Sequence, residues 1–414
     1  MSDDTHLDVA VIGAGLSGLA TAALLARAGR TVTVFEASAH LGGRAQSPRL
    51  NGLPVNMGPH ALYLGGAAFE VLTDLGLRPP LKPPTARGYF VIRDGVLSAM
   101  PSTPWSMLST SLLTVTERFS LARVLMPLIA GSISAQNDQS LAQWLDQVAP
   151  SPSVRALLET LFRLTTYTHA PTHLSAAVAC RQLHVALRKN VTYVPFETLV
   201  SSLAALPGVT VRFSKPLRFV DETGRLEFDD ETLHARDVVL ALPIEATMKV
   251  LRSETLAAFH RTAVPAKAAC LDVVLSRLTT PRQRLVLGLG EPLYAAIHQE
   301  HPAQVVIQVA KYLSPGERGA DALPQLEHLL DAFQPGWREV LLERRFLPEM
   351  VVSTAIPLAQ NEGRGFGVEL GGQVYAAADW AAGGLLADGG LAAARDVARR
   401  LGSANSNSPL RRSA

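Results

Sequence analysis

A glycine-rich turn near the start of the chain limits the fold more than any other feature of the sequence. Gly13, Gly15 and Gly18 follow an apolar run, LDVAVI at 7–12, and lead into a strong helix-forming stretch at 19–28. At this spacing the first glycine permits a tight turn, the second lets the backbone approach a pyrophosphate, and the third lets helix and strand pack closely. The helix N-terminus presents amide donors to the phosphates. The pattern predicts a βαβ unit that binds a dinucleotide.

An acidic residue follows at the position that such a site needs. The β-branched run TVTVF at 31–35 predicts a second strand, and Glu36 ends it, about 20 residues after the turn. A carboxylate there accepts hydrogen bonds from both ribose hydroxyls of an adenosine and repels a 2′-phosphate. A glycine-rich turn in an unrelated α/β protein is the weaker interpretation, because strand, turn, helix and acid all fall in the expected order.

Two further segments favour FAD over NAD. Gly42 and Gly43 predict a loop whose amides reach the same pyrophosphate, and Arg44 adds a cation with a planar donor fork. Near the other end, Asp379 follows a predicted strand and can hold a ribityl hydroxyl or a water on the phosphates, although an ordinary turn residue is an equal interpretation. The helix that begins at Leu386 and Ala387 can point its dipole at the N1/O2 edge of a flavin.

These motifs resemble one superfamily. VAVIGAGLSGLATAALLARAGRTVTVFEASAHLGGRAQS looks like the opening of the FAD-dependent amine oxidase, protoporphyrinogen oxidase and phytoene desaturase superfamily, and YAAADWAAGGLLADGGLAAAR resembles its C-terminal flavin motif. The resemblance covers nearly the whole chain and is closest to phytoene dehydrogenase-like flavin oxidoreductases. It extends to GVTVRFSKPLRFV, and it implies that the backbone of Leu217 meets the adenine.

The resemblance implies an α/β fold, in which a Rossmann-type FAD-binding (GR2-like) domain carries an inserted α+β substrate-binding domain. We predict that residues 1–64, 190–262 and 350–402 form the discontinuous FAD-binding domain, and that 65–189 and 263–349 form the substrate-binding domain. The polar tail 403–414 is predicted to be disordered.

The implied activity is hydride transfer from a hydrophobic small molecule to flavin N5, with oxygen or another acceptor reoxidising the flavin. The cysteine that anchors flavin in some amine oxidases has no counterpart near the C-terminus, so non-covalent FAD is expected. The paired aromatics of an amine cage are not evident either, since Val352–Pro357 is apolar. The alternatives are a flavin-dependent non-redox isomerase of a polyene, an amine or protoporphyrinogen-type oxidase, and a dinucleotide-binding protein without catalysis.

Five residues are candidates for the reacting end of the site. The resemblance places Gly58 close to the isoalloxazine ring. His60 nearby is either a proton shuttle or a substrate contact, but a histidine whose hydrogen bonds are made by its neighbours is the favoured interpretation. Lys267 is similar to a lysine that holds a water near N5 in some amine oxidases, but it stands just ahead of a predicted strand. Tyr294 and His298 lie on a segment that the family turns toward substrate.

Composition excludes several other classes. Formal net charge is +2 with scattered basic residues, which does not suit nucleic-acid binding. Only Cys180 and Cys270 are present and no metal site is predicted, so a cytoplasmic location is expected. The apolar segment 107–133 predicts a core-facing helix pair, with a substrate-tunnel wall or a peripheral membrane contact as alternatives. The oligomeric state stays open.

Overall fold

The computed structural model describes residues 6–81, 87–101, 106, 110–132, 135–189 and 191–403. The predicted tail lies outside the described residues, apart from Ser403, which ends the last helix. The α-helices of this part of the chain are α1 (Leu16–Arg27), α2 (Ala67–Asp74), α3 (Val115–Ala130), α4 (Leu141–Val148), α5 (Pro152–Thr166), α6 (Ala176–Lys189), α7 (Phe196–Ala204), α8 (Ile244–Leu251), α9 (Glu254–Thr262), α10 (Leu323–Phe333) and α11 (Leu386–Ser403).

The first large sheet carries the glycine-rich turn. Its strands are β1 (His6–Ile12), β2 (Val32–Phe35), β9 (Val209–Arg212), β10 (Phe219–Val220), β11 (Arg225–Glu227), β12 (Thr232–Leu240), β18 (Glu369–Gly371) and β19 (Val374–Ala376). The strand order is β10-β11-β12-β1-β2-β9, and β19 joins the carboxyl half of β12. The pairs β9–β2, β2–β1, β1–β12 and β12–β19 are all parallel, so their carboxyl ends meet at one edge. Ligands of open parallel sheets bind at such an edge.

Helices cover one face of this sheet. Side chains of α1, α2, α7 and α11 share one apolar core with β1 and β2. Helix α2 therefore belongs to the core of the first sheet, although its residues fall in the range predicted for the substrate-binding domain. The reason is local, because Ala68, Val71 and Leu72 are fully buried on the side of α2 that faces α11.

The second large sheet is mainly antiparallel. Its order is β17-β13-β16-β15-β14-β6-β7, with the bounds β6 (Tyr89–Arg93), β7 (Val96–Ala99), β13 (Ala266–Leu275), β14 (Leu285–Gly288), β15 (Leu293–His301), β16 (Gln304–Leu313) and β17 (Leu341–Ser353). One face packs against α10, and the other packs against the helical layer of α3 to α6. Short pairs, β3 (Arg49–Leu50) with β4 (Leu53–Pro54) and β5 (Leu62–Tyr63) with β8 (Val191–Thr192), complete the strands.

The predicted fold class is confirmed: a parallel Rossmann-type sheet with helices is combined with a second, antiparallel sheet that carries its own helical layer. The first sheet draws its strands from three separated stretches, at 6–35, 209–240 and 369–376, and the second draws its strands from the stretches between them. The exact division into two domains stays a prediction.

Candidate active site

A cavity of about 330 Å³ lies between the carboxyl ends of the parallel strands and the second sheet. Eleven of the residues predicted for the site line this cavity, and they come from segments that are far apart in the chain. They are Gly13, Gly15, Glu36, Gly42, Gly43, Arg44, Gly58, His60, Asp379, Leu386 and Ala387.

The three glycines of the first turn have different jobs. Gly13 has a φ of +104°, and a Cβ there would lie 2.7 Å from the carbonyl oxygen of Ala241. A Cβ on Gly18 would lie 2.0 Å from the carbonyl oxygen of Gly13, so this glycine, which does not line the cavity, serves the packing of α1 on β1. A Cβ on Gly15 meets only the carbonyl oxygen of Gly42, at 3.7 Å. Gly13 and Gly18 are therefore required by the fold, whereas the space at Gly15 is open.

Glu36 is held rigidly at the end of β2. Its Oε2 accepts the backbone N–H of Ala14 at 2.8 Å, and its Oε1 accepts the backbone N–H of Ser38 at 2.9 Å. The N–H of Gly42 donates to the carbonyl of Ala14 at 2.9 Å, which brings the second glycine pair against the first turn. Each carboxylate oxygen keeps a lone pair for another donor, so the arrangement suits ribose hydroxyls.

Arg44 and Asp379 form a bidentate ion pair across the cavity wall. Nη1 and Nη2 of Arg44 donate to the two oxygens of Asp379, each at 3.0 Å. Ser353 Oγ and the backbone N–H of Thr354 also donate to Asp379, at 2.9 and 3.0 Å. Burial alone would raise the pKa of Asp379, but the charge and hydrogen bonds of Arg44 lower it below its ordinary value. Asp379 is therefore an anion that fixes the Arg44 guanidinium in place.

This ion pair corrects one sequence interpretation. The segment 352–357 was expected to be simply apolar, yet Ser353 and Thr354 supply polar groups that bind Asp379. The carbonyl of Val352 also accepts from Arg44, at 3.1 Å. The sequence predicted a cofactor role for Arg44 and for Asp379 separately, but nothing in the sequence indicated that the two residues form an ion pair.

The helix α11 begins at the cavity with a strained residue. Leu386 has a φ of +57°, in the left-handed region that a branched side chain rarely adopts. Asp388 in the first turn accepts the backbone N–H of Ala68 at 2.8 Å and thereby joins α11 to the start of α2. Burial raises the pKa of Asp388 to about 6. The helix N-terminus is thus anchored where its amides face the cavity.

The loop that holds Gly58 and His60 crosses the face of the second sheet. Gly58 has a φ of +78°, and a Cβ there would lie 2.8 Å from the Sγ of Cys270. The Nδ1 of His60 lies 2.9 Å from the carbonyl oxygen of Gly58, and its ring packs edge-on against Phe196 with the ring centroids 4.9 Å apart. Burial lowers the pKa of His60. These contacts agree with a histidine satisfied by its neighbours.

A buried ion pair beneath this loop was missed by the sequence analysis. The guanidinium of Arg345 donates to Asp272 at 2.7 Å and to the carbonyl of Asn56 at 2.8 Å. Gln308 donates to the same Asn56 carbonyl and to Asp272, at 3.0 and 2.8 Å. Asp272 has no exposed surface. The network fixes the loop to β13, β16 and β17.

Two predicted residues lie away from the cavity. Lys267 forms an ion pair with Glu349 at 2.6 Å, because it lies on the opposite face of β13 from the cavity-lining Ala268 and Cys270. Its placement gives no support to a water-holding role. The Leu217 side chain packs with Phe35 in the core on the other side of the first sheet. Its segment is bonded to the backbone of Glu36 through Lys215, so the adenine contact stays a prediction.

Tyr294 and His298 stand one layer behind the cavity. The hydroxyl of Tyr294 lies 2.8 Å from Nε2 of His298 and 3.5 Å from the hydroxyl of Tyr193. Tyr167, which the sequence analysis did not single out, lines the cavity, and its ring centroid lies 6.3 Å from that of Tyr294. It caps α5 with a φ of +54°, a strained conformation of the kind that collects at functional sites. A short chain of polar groups therefore leads away from the cavity.

The cavity wall on the side of the second sheet is apolar. It is formed by small or uncharged side chains, namely Ala268, Cys270, Ala310, Met350 and Val352, with Tyr167 beside them. The charged residues among those that line the cavity are Glu36, Arg44 and Asp379. Glu36 lies at the glycine-rich turn, and Arg44 and Asp379 neutralise each other.

A glycine turn at a helix N-terminus, a carboxylate at the end of the second strand and a fixed arginine beside a second helix N-terminus define a dinucleotide-binding protein of the flavin type. An open Gly15–Gly42 gap and an uncharged wall beyond it fit the phosphates and the ring of a flavin. The chain belongs to the family of flavin containing amine oxidoreductases, whose family model matches residues 16–266, more than half of its 414 residues. The family implies a flavin cofactor.

Curated relatives come from different branches of this superfamily. Protoporphyrinogen oxidase 2 of Arabidopsis thaliana is 36% identical over 115 residues, which cover 27% of this chain and 23% of that protein. A Mycobacterium tuberculosis protein named as a flavin-containing monoamine oxidase is 29% identical over 262 residues, 57% of each chain. A 4,4′-diapophytoene desaturase of Staphylococcus aureus is 39% identical over 70 residues, 17% of this chain and 14% of that protein. The match thus spans less than two thirds of each relative.

Solved structures show the same fold over nearly the whole chain. An oxidoreductase from Methanosarcina mazei superposes with a TM-score of 0.74 at 17% identity, covering 95% of this chain and all of that one. A fatty acid isomerase from P. acnes that produces CLA superposes with a TM-score of 0.69 at 14% identity, covering 95% and 98%. At such identities the likeness shows the fold alone.

Proposed function

We propose that the chain is an FAD-dependent oxidoreductase that oxidises or desaturates a neutral, largely apolar small molecule. The observation that carries this proposal is the wall of Ala268, Cys270, Ala310, Met350 and Val352, which offers no charge to a substrate. Burying an uncompensated ammonium or carboxylate against such a wall would cost several kcal/mol or more, whereas an apolar molecule gains about 25 cal/mol for each Å² buried. Isoprenoids, tetrapyrroles and apolar natural-product intermediates have this character.

The residues that would hold FAD follow from the geometry. The amides at Gly15 and Gly43 would contact the pyrophosphate, since the amide of Gly42 already donates to the carbonyl of Ala14. Glu36 would contact the adenosine ribose, and Arg44 with Asp379 the middle of the cofactor. When bound, the flavin supplies the two-electron acceptor, and oxygen or another acceptor returns it to the oxidised form. The protein positions the substrate and excludes water from it.

Binding of FAD is proposed to be non-covalent. Cys270 is the cysteine that lines the cavity, and burial raises the pKa of its thiol well above its ordinary value. A thiol that stays protonated is a poor nucleophile. After acid precipitation, the yellow colour should therefore appear in the supernatant, and colour that stays with the pellet would show a covalent bond.

We further propose that a proton released by the substrate leaves through Tyr167, Tyr294 and His298. Burial, with a smaller effect of His60, lowers the pKa of His298 to about 3, so the imidazole is neutral and its Nε2 accepts the Tyr294 O–H. A small movement that brings the Tyr167 and Tyr294 hydroxyls within hydrogen-bond distance would let a proton pass from Tyr167 to Tyr294. The Tyr294 proton would then pass to His298, 2.8 Å away. His298 is partly exposed and passes its proton to solvent.

The substrate class is tested by anaerobic mixing of the oxidised holoprotein with a panel of compounds while the visible flavin band is followed. The panel contains neutral polyenes, a reduced tetrapyrrole, and primary and tertiary amines. Bleaching by a neutral compound, with none by the amines, supports the proposal. Rapid bleaching by an amine alone would establish an amine oxidase instead.

The proton path is tested with the compound that bleaches the flavin. Tyr294→Phe should slow the bleaching and remove its solvent deuterium isotope effect, because the hydroxyl that relays the proton is gone. Tyr193→Phe is the matched control, since it removes a neighbouring hydroxyl that stands 3.5 Å from Tyr294 and outside the path. Equal effects of the two substitutions would refute the path.

An isomerase remains the second candidate, because the fold of the P. acnes fatty acid isomerase is similar. An isomerase would convert its substrate with reduced flavin and consume no acceptor. Product formation under strict anaerobiosis, without stoichiometric flavin bleaching, would favour it over the oxidoreductase.

A further inference from the structure

We propose that the outer face of α3 docks on an anionic membrane surface. The face consists of Val115, Phe119, Met126 and Ile129, whose side chains are 62%, 69%, 62% and 38% exposed. With Ala122 between them, these positions follow the spacing i, i+4, i+7, i+11 and i+14, which is one stripe of a helix. This inference deepens the proposed function and rests on it, since an apolar substrate dissolves in lipid.

Helix α3 is apolar on both sides. Its inner side buries Leu121, Leu125 and Leu128 in the core of the helical layer. This confirms a core-facing helix in segment 107–133, and no described residue of that segment lines the cavity as a tunnel wall would. A helix that packs only inward normally turns polar side chains to water. The exposed apolar stripe therefore indicates a binding surface.

The ends of α3 are well defined, so the stripe has a fixed shape. Thr114 and Glu117 form a capping box at its start, and Gly131 closes it in the left-handed conformation. The Glu117 carboxylate is also held by the hydroxyl of Ser151, at 2.7 Å. The acidic group of the helix is thus engaged in these hydrogen bonds.

Exposed arginines lie on α3 and on the neighbouring helix α6. Arg123 on α3 is exposed, and so are Arg181 and Arg188 on α6, which packs against α3. The sequence of α6, AAVACRQLHVALRK, contains no acidic residue, and its Leu187 is also exposed. Basic side chains around an apolar helix face match an anionic lipid surface.

Two other roles fit the stripe less well. A second copy of the chain would need about 20 to 30 residues on each side for a stable interface, and four large side chains along 16 residues fall well below this. Among the described residues, no helix is long and apolar enough to span a bilayer. The geometry therefore points to a helix that lies in the plane of the lipid headgroups.

Helix α3 is connected to the cavity through α5. It packs against α5, and α5 ends at Tyr167, which lines the cavity. A membrane bound at α3 would thus lie on the same side of the second sheet as the substrate wall. The placement would bring the cavity close to a reservoir of apolar molecules.

The test is sedimentation of the full-length holoprotein with vesicles of phosphatidylcholine alone and of phosphatidylcholine with phosphatidylglycerol. We expect binding to the anionic vesicles that weakens in high salt. Phe119→Ser with Met126→Ser should weaken this binding at least about tenfold, or about 1.4 kcal/mol. Val96→Ser is the matched control, because Val96 is 64% exposed on β7, outside the stripe, and it should leave binding unchanged.

Arg123→Glu provides a second variant that leaves the apolar stripe intact, and it should also weaken binding to the anionic vesicles. Absence of wild-type binding, or equal binding by the double variant, would overturn the inference. So would a dimer, seen by light scattering without lipid, that the double variant dissociates. Flavin absorbance is recorded in every sample. A protein without flavin that still binds vesicles would count against the proposed function only, and a yellow protein that ignores vesicles against this inference only.

Discussion

Replacing Gly15 by valine should separate flavin binding from folding. A Cβ at Gly15 meets only the carbonyl oxygen of Gly42, at 3.7 Å, and the backbone φ of −78° is allowed for any residue. The apoprotein should therefore stay folded, with a loss of at most about 1 kcal/mol at this helix N-cap. The two valine methyl groups would fill the gap between Gly15 and Gly42, where the pyrophosphate is expected.

The expected loss of affinity can be estimated from the contacts. If the valine prevents two charge-assisted hydrogen bonds from backbone amides, each worth about 1.5 kcal/mol, the cost is about 3 kcal/mol. This corresponds to a Kd for FAD that rises by roughly 100-fold. The assay is titration of FAD fluorescence with apoprotein, accompanied by thermal unfolding of the apoprotein by circular dichroism.

Gly18→Ala serves as the contrasting variant. Its Cβ would lie 2.0 Å from the carbonyl oxygen of Gly13, so the packing of α1 on β1 must shift. This variant should lose thermal stability and flavin together. A Gly15→Val protein that binds FAD as tightly as the wild type would refute the assignment of this turn to the pyrophosphate. One that unfolds like Gly18→Ala would refute the claim that the space at Gly15 is open.

Three other substitutions test separate parts of the structure. Lys267→Met should leave the rate of flavin reoxidation in air unchanged. It should alter the free energy of unfolding by less than about 1 kcal/mol, because it removes only a part-exposed ion pair. Slower reoxidation would indicate a role of Lys267 near the flavin. Asp388→Asn should stabilise the protein by up to about 3 kcal/mol above about pH 7, because the raised pKa of this carboxyl makes its buried charge unfavourable there. That advantage should vanish in thermal unfolding curves toward about pH 3 and below, where the carboxyl is mostly protonated in both the folded and the unfolded protein. Asp272→Ala should cost about 3 to 5 kcal/mol in urea unfolding by leaving Arg345 without its partner. Asp229→Ala, which breaks an exposed pair, should change the urea midpoint far less.

The parts of the site that the sequence could predict are those that one short segment determines. Gly13 and Gly18 are required by a positive φ and by a backbone contact within a single βαβ unit, and such requirements leave a fixed spacing in the sequence. Glu36 is likewise positioned by its own strand end. These residues needed no knowledge of distant segments.

The parts that it could not predict depend on pairs of distant residues. Arg44 and Asp379 are 335 positions apart, and Arg345 meets Asn56 across 289. The misplacement of Lys267 has a simpler cause. Successive side chains in a strand point to opposite faces, so a shift of one residue decides whether Lys267 or Ala268 faces the cavity. The left-handed conformation of Tyr167 leaves no mark in composition, because the residue is neither glycine nor asparagine.

The strand order of the first sheet has a consequence for how the protein is made. Strand β1 lies between β2 and β12, β12 in turn pairs with β19 at 374–376, and the cavity is closed by residues at 386–387. A ribosome that has translated only the glycine turn and Glu36 has made a recognisable motif without a pocket. Such non-local pairings form late and slowly. Flavin binding, with the yellow colour that it would give the protein, is therefore expected only after residue 387 has been translated.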